Sequence, residues 1–293
     1  MALCWSSDDA GQTDSGNRRC RIYWPKPRKR TPSDNGIVVD DGYLETPANL
    51  DVAVEFRDAS VLEEGLPTDV DVVFHLAALS SYAMYEDDSC KGAPVNVEGF
   101  VNVVDQARKD GCDTVVYTST SSIYGSRTEP SSEDMNVTVN TGYEASKMAR
   151  ERYAEYFSNH YDISAARMWF FTVYQGYGGA EEHKGEYANV IAQFADDIAN
   201  GDSPILYGDG EKTRDFTHVD DVVPGLVLAA EHELDGVYNL GTGDAYDFNT
   251  VVELLNEELG TDVEPEYTEN PIPDDVYIHD TCADPTKIRE ATG

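Results

Sequence analysis

Thr114-Val115-Val116-Tyr117-Thr118-Ser119-Thr120-Ser121-Ser122-Ile123-Tyr124-Gly125 decides how this chain is read. Its first four residues are β-branched or aromatic and predict a strand, and the hydroxyl-rich stretch behind them predicts a turn. In a doubly wound parallel sheet, ligands bind just beyond the carboxyl ends of the strands, where these hydroxyls fall. The flanking sequence supplies such a sheet. Upstream, residues 95–109 predict a helix with Val97, Phe100, Val101, Val104 and Ala107 on one side. Val70–Leu76 reads as the strand before it, and Ile37-Val38-Val39 as a shorter one ending in Asp40-Asp41. Downstream, residues 143–160 read as a helix and Ile163 to Val173 as a strand. Asn249 or Thr250 is the expected cap of a helix that stops at Gly260. Strands alternating with helices predict an α/β fold, a doubly wound parallel sheet at residues 36–175. A region of shorter elements follows at 176–293, expected to serve the substrate.

Composition narrows the function classes. The 293 residues carry 56 Asp and Glu against 21 Lys and Arg, a net charge of −35, with 40% hydrophobic residues. That hydrophobicity supports a folded core rather than a disordered chain. The charge repels phosphate backbones and anionic membranes, so no nucleic-acid or membrane partner is expected. An acidic, lysine-poor surface on a chain of ordinary hydrophobicity is the habit of halophilic proteins, in which salt screens the self-repulsion. No apolar run approaches the ~20 residues of a membrane span, and no signal peptide is recognised. Five cysteines without a C-x-x-C spacing predict free thiols in a reducing cytoplasm. The six histidines and five cysteines show no metal-ligand spacing, so no metal is expected.

Residues 1–35 break the pattern. They hold seven basic residues against four acids, +3, whereas the rest of the chain holds 14 against 52, −38. A basic tail or a nucleic-acid arm around Arg21-Ile22-Tyr23-Trp24 would account for the charge. Neither accounts for a sheet that starts without its first strand. Back-translation offers a third reading. Shifted by one base, codons for Asn17 through Trp24 can spell T-G-G-A-G-F-I-G, the glycine turn that follows the first strand of a dinucleotide-binding fold. Residues up to about 33 are therefore read as an out-of-frame translation.

Tyr143-Glu144-Ala145-Ser146-Lys147 is the one Y-x-x-x-K in the chain. On a helix, residues four apart share a face, so an ammonium can lie beside the phenol and favour phenolate. That would make Tyr143 a general base at an alcohol. His75 reads as a packed strand-end residue rather than a catalyst. Gly241-Thr242-Gly243 reads as an ordinary turn, since no third glycine follows it.

These segments, in their order and spacing, resemble the extended short-chain dehydrogenase/reductases, in the nucleotide-sugar epimerase/dehydratase group, the UDP-glucose 4-epimerase-like branch above all. The matching runs are Val39-Asp40-Asp41, Arg57-Asp58, His75-Leu76-Ala77-Ala78, Val95-Asn96-Val97-Glu98-Gly99, Gly208-Asp209-Gly210, Arg214 to Asp221, and Tyr238 to Gly243. The resemblance implies a Rossmann-like fold that binds NAD and acts on a nucleotide-diphosphate sugar, as a homodimer. Thr120 would hydrogen-bond the sugar 4-hydroxyl and Tyr143 would take its proton. Lys147 would hold the nicotinamide ribose and keep Tyr143 acidic. Asp40 would bind the adenosine ribose, Asp58 the adenine, and Leu76, Ala77 and Ala78 would border the cofactor. Arg214, Asn189 and Tyr207 would lie on the substrate side. The implied reaction is epimerisation through a transient 4-keto sugar, with NAD regenerated each turn.

Taken alone, Asp40 also fits a polar strand end, and Arg214 a surface ion pair. Ser121 and Ser122 stand where similar dehydratases carry Asp-Glu, and Ser122 where similar decarboxylases carry Glu, which favours epimerisation. A dehydratase or reductase is the lesser alternative. A relative that cannot bind NAD, for want of the first strand and glycine turn, is the other. Trp169 and Thr172 replace the Arg and Asn of the family's R-x-F-N-V-Y-G, which puts a diphosphate contact there in question. Pro224 falls in a predicted helix, a cost of up to ~3 kcal/mol outside the first turn. The family continues past the position of Gly293, so a C-terminal truncation is also expected.

Overall fold

The computed structural model describes residues 2–5, 36–43, 55–67, 69–175, 182–274 and 276–293. Its strands are β1 (Ala2–Trp5), β2 (Ile37–Asp40), β3 (Glu55–Asp58), β4 (Val72–His75), β5 (Thr114–Thr118), β6 (Ser164–Phe170) and β7 (Thr172–Tyr174). They continue as β8 (Ile205–Tyr207), β9 (Thr213–His218), β10 (Gly236–Leu240), β11 (Ala245–Asp247) and β12 (Glu266–Thr268). The helices are α1 (Tyr82–Asp87), α2 (Ser89–Ala93), α3 (Gly99–Lys109), α4 (Gly142–Tyr161), α5 (Val190–Asn200), α6 (Val219–Glu231), α7 (Phe248–Leu259) and α8 (Thr286–Thr292).

Seven strands form one sheet in the order β10-β6-β5-β4-β1-β2-β3, with β10 drawn from beyond residue 175. Every side chain of β4 and β5 is buried, as expected of strands covered on both faces. On one face, Val73, Val115 and Tyr117 pack with Phe100, Val104, Ala154 and Phe157 of α3 and α4. On the other, Phe74, Val116 and Met168 pack with Leu226 and Ala229 of α6 and Ile288 of α8. This is the doubly wound architecture that the alternating pattern predicts.

One strand departs from it. The position expected to be vacant, between β4 and β2, is filled by β1, and β1 runs antiparallel to both neighbours. Ala2 pairs with His75 and Trp5 with Val72, so the chain leaves β1 at the amino ends of the parallel strands. The expected glycine turn at 17–24 lies outside the described residues.

Several element limits also differ from the sequence reading. The predicted helix at 95–109 starts as α2, passes through a π-helical turn at Pro94–Glu98, and continues as α3. Its buried face adds Val103, with Val101 partly buried against the same core, while Val97, inside the π turn, is only half-buried. The run from Ile163 to Val173 is two strands: β6 lies in the main sheet, and β7 pairs with β9 in a three-stranded one. Asp247, not Asn249 or Thr250, caps α7, its carboxylate accepting from Thr250 N at 2.7 Å. That helix ends at Gly260, with φ +68°. Pro224 sits inside α6, past its first turn.

Asp215 on β9 fastens the smaller sheet to the rest. Fully buried, its carboxylate accepts from Thr242 N and Oγ1, Gly243 N and Ala283 N at 2.7–3.0 Å. This confirms Gly241-Thr242-Gly243 as a structural turn. Hydrogen bonds to a buried charge contribute about 1.5–3 kcal/mol each and leave costly orphans when broken. Asp215→Ala should therefore destabilise the protein by roughly 3–5 kcal/mol, which denaturant unfolding will measure.

Among the described residues, no helix is long and apolar enough to cross a membrane. None of their His, Cys, Asp and Glu groups could hold a metal ion. Cys90, Cys112 and Cys282 are free thiols.

Candidate active site

The site begins where β5 ends. Ser119 N donates to Met168 O at 2.9 Å, which extends the sheet one residue. Thr120 then caps a 3₁₀ turn at Ser121–Tyr124. Its hydroxyl accepts from Ser122 N at 3.1 Å and donates to Ser122 Oγ at 2.9 Å. Gly125, with φ +68°, closes the turn. The Thr120 side chain is thereby fixed at the carboxyl edge of a central strand.

Helix α4 brings the second half. Thr141 and Glu144 form a capping box: Glu144 N donates to Thr141 Oγ1 at 3.1 Å, and Thr141 N to Glu144 Oε2 at 3.2 Å. This fixes the helix start and puts Tyr143 in its first turn, with Lys147 one turn later. Asn96, fully buried, holds Leu79 N and O and donates to Ser146 Oγ at 2.9 Å. Tyr143 is 8% and Lys147 1% exposed.

The electrostatics differ from the helical-spacing argument. Burial pushes the Tyr143 phenol above its ordinary value. A hydrogen bond with Thr120 and the charge of Arg150 pull it back, and Glu144 adds to the rise. Lys147 Nζ stands 5.7 Å from the Tyr143 ring centroid and donates to Thr118 O at 3.5 Å. Burial, then Arg150, holds Lys147 well below the usual lysine range, opposed by Glu151. The ammonium therefore stands over the Tyr143 ring while also within reach of the β5 carbonyl.

The cofactor-side candidates share the carboxyl edge of the sheet. Asp40 ends β2, is buried and accepts from Gly42 N at 2.8 Å. Asp58 pairs with it in register at the end of β3 and is exposed. Leu76, Ala77 and Ala78 follow β4, and Ala77 O accepts from Arg150 Nη2 at 3.0 Å. His75 is fully buried, and neither ring nitrogen has a hydrogen-bond partner among the described residues. Burial holds its pKa well below the usual range, so it is a neutral packing residue set edge-on to Phe100 at 5.3 Å.

A dinucleotide fits this edge at two points. The acid at the end of β2 suits ribose hydroxyls. The Lys147 ammonium has three donors and makes one long hydrogen bond, which leaves capacity for a ligand hydroxyl.

The substrate-side candidates lie on other elements. Asn189 caps α5, accepting from Ile191 N at 2.9 Å and donating to Val173 O at 2.6 Å. Tyr207 ends β8 and is partly exposed. Arg214, on β9, donates to Thr213 O and His279 O at 2.8 Å and to Ile278 O at 2.5 Å. The structure therefore assembles Thr120, Tyr143 and Lys147, and commits much of Arg214 to the chain's own carbonyls.

Two residues missed by the sequence reading belong to the surroundings. Arg150 reaches the same region from the next turn of α4. Glu151 accepts from Trp169 Nε1 at 2.7 Å and from Ser119 Oγ, and Arg167 lies 3.7 Å away. Trp169 thus has a role in place of the arginine it replaces. The signal available was position: 150, 151 and 154 continue the face of 143 and 147.

Comparison with known proteins agrees with this geometry. The profile of the NAD dependent epimerase/dehydratase family matches residues 36–241. A UDP-glucose 4-epimerase of Mycolicibacterium smegmatis is 34% identical over 226 residues, covering 76% of this chain and 70% of that one. A UDP-N-acetylglucosamine 4-epimerase from Methanobrevibacter ruminantium, solved with UDP-N-acetylmuramic acid, superposes with a TM-score of 0.81 at 25% identity. That match covers 88% of this chain and 84% of the other. A Thermotoga maritima UDP-glucose 4-epimerase, solved with UDP-glucose, gives 0.77 at 28% identity, covering 87% and 83%.

Proposed function

We propose, from the premise that this chain belongs to the NAD dependent epimerase/dehydratase family, that it inverts carbon 4 of a UDP-hexose. The observation that carries the reading is the convergence of Thr120, Tyr143 and Lys147 at the carboxyl end of β5. Tyr143, as phenolate, takes the proton of the 4-hydroxyl. Thr120, whose hydroxyl proton points at Ser122 Oγ in the free site, would turn it to the sugar oxygen, so that the sugar's own proton faces Tyr143. Lys147 would spend its donor capacity on the nicotinamide ribose and Asp40 would receive the adenosine ribose, with Asp58 and the turn at Leu76–Ala78 bordering the cofactor. NAD, when bound, would supply a reversible hydride acceptor at carbon 4, and inversion requires the site to let the 4-keto sugar turn over so that its other face meets that acceptor before Tyr143 gives the proton back to the oxygen. Arg214, Asn189 and Tyr207 face the nucleotide end of the substrate. Ser121 and Ser122 supply no acid for loss of water, which favours epimerisation over dehydration.

Incubation with UDP-glucose and catalytic NAD should form UDP-galactose with no lasting rise in absorbance from NADH. A dehydratase would give a 4-keto product, and a reductase would consume external NADH. The protein is further proposed to be a cytoplasmic homodimer.

A second reading rests on β1. Because it runs antiparallel, the chain leaves it away from Asp40 and Thr118, where a glycine turn would have to lie. On this reading the chain does not bind NAD. It goes with the out-of-frame origin of residues up to about 33, which resequencing of codons 10–40 decides. NAD titration separates the two: saturable binding supports the enzyme, and none supports the defective relative.

A further inference from the structure

We infer that Arg150 is a positioning residue of the active site: its guanidinium ties the helix carrying Tyr143 and Lys147 to the carboxyl ends of β4 and β5 and sets a fixed positive charge beside the phenol. The inference rests on the proposed role of Tyr143 as base. Arg150 is the bulkiest fully buried side chain among the described residues, at 0% exposure. Its Nε donates to Asn96 O at 2.9 Å, Nη1 to Thr118 O at 3.2 Å and Nη2 to Ala77 O at 3.0 Å. The three carbonyls belong to the π-helical turn before α3, the end of β5 and the turn after β4. The guanidinium presents a separate nitrogen to each of these spread carbonyls, whereas a lysine would have to reach all three from one nitrogen.

Among the described residues, no carboxylate forms an ion pair with the Arg150 guanidinium. Glu151, the neighbouring carboxylate, is engaged by Ser119 and Trp169. His75, Tyr117 and Phe100 line the remaining sides from β4, β5 and α3. Burial lowers Arg150 to about 10, which leaves it protonated at neutral pH. Around the phenol stand Thr120 from the turn, Glu144 and Lys147 from α4 itself, Tyr85 from α1 and Tyr187. Of these groups Glu144 raises the phenol, and Arg150 is the cation that lowers it. Arg150 and Lys147 also share the Thr118 carbonyl, so each limits where the other can sit.

The test compares Arg150→Met and Arg150→Lys with the wild type in the full chain. The Tyr143 phenol is titrated by NMR of ¹³Cζ-labelled tyrosine, its signal assigned from Tyr143→Phe. The acid limb of kcat/KM is measured alongside. Arg150→Met should move both midpoints up by about one pH unit. Arg150→Lys should keep the phenol near its wild-type midpoint but lower kcat about tenfold, for loss of the three-way tie. An unmoved phenol in a folded Arg150→Met protein overturns the electrostatic half. Where Arg150→Met does not fold, Arg150→Lys decides, and wild-type kcat in that variant overturns the positioning half. A shifted phenol without epimerase product would leave Arg150 standing and remove the epimerase reading. Product formation with an unmoved phenol would do the reverse.

Discussion

Tyr143→Phe should lower kcat by roughly 10³-fold, within the range a positioned general base contributes, while the protein stays folded and still binds UDP-sugar. The phenyl ring keeps its place against Leu79, Met84 and Tyr85, so packing is preserved. What is lost is the oxygen that Thr120 bonds and Arg150 acts on. Because burial raises the phenol, the phenolate is scarce at neutral pH and wild-type activity should climb as pH rises. The variant should lose that dependence. A near-wild-type rate in Tyr143→Phe would remove Tyr143 from the chemistry.

The second large effect concerns salt. Raising KCl from about 0.1 M to about 2 M should increase the melting temperature by roughly 15 °C, as the Debye length falls from ~10 Å to below ~3 Å. The driving quantity is the net charge of −35, which sets acidic side chains against one another over most of the surface. Pairs such as Arg152–Glu155 and Lys109–Asp105 are exposed and weaken slightly in salt, which is a much smaller loss. A melting temperature that is flat or falling across that range would contradict the halophilic reading.

The sheet was legible because its strands are short apolar runs between helices with one apolar face. The ends of β2 and β5 were legible for the same reason, and with them Asp40 and Thr120. The break between β6 and β7 was not, since an uninterrupted apolar run carries no mark of where a strand changes sheets. The π turn hid in the same way: it shifts the helical face without altering composition. Arg150 was missed, and Asp215 was read only as part of a matching run, for a different reason. A charged side chain in a helix or a short strand ordinarily faces water, and only the three-dimensional supply of carbonyls or amides reveals a buried one. Position i+4 placed Lys147 on the right face, over the Tyr143 ring, and the structure adds the β5 carbonyl within reach of its ammonium. The filling of the central sheet position by β1 had no signal in residues 2–5 at all.

The central claim is reversible oxidation at carbon 4, and the most direct measurement follows that carbon's hydrogen. UDP-glucose deuterated at carbon 4 is incubated with the purified protein and NAD in molar KCl, and the product is analysed by NMR and mass spectrometry. The account predicts UDP-galactose that retains deuterium at carbon 4, with no net NADH. Product carrying a solvent proton at that carbon, or bound NAD with no product at all, would contradict it.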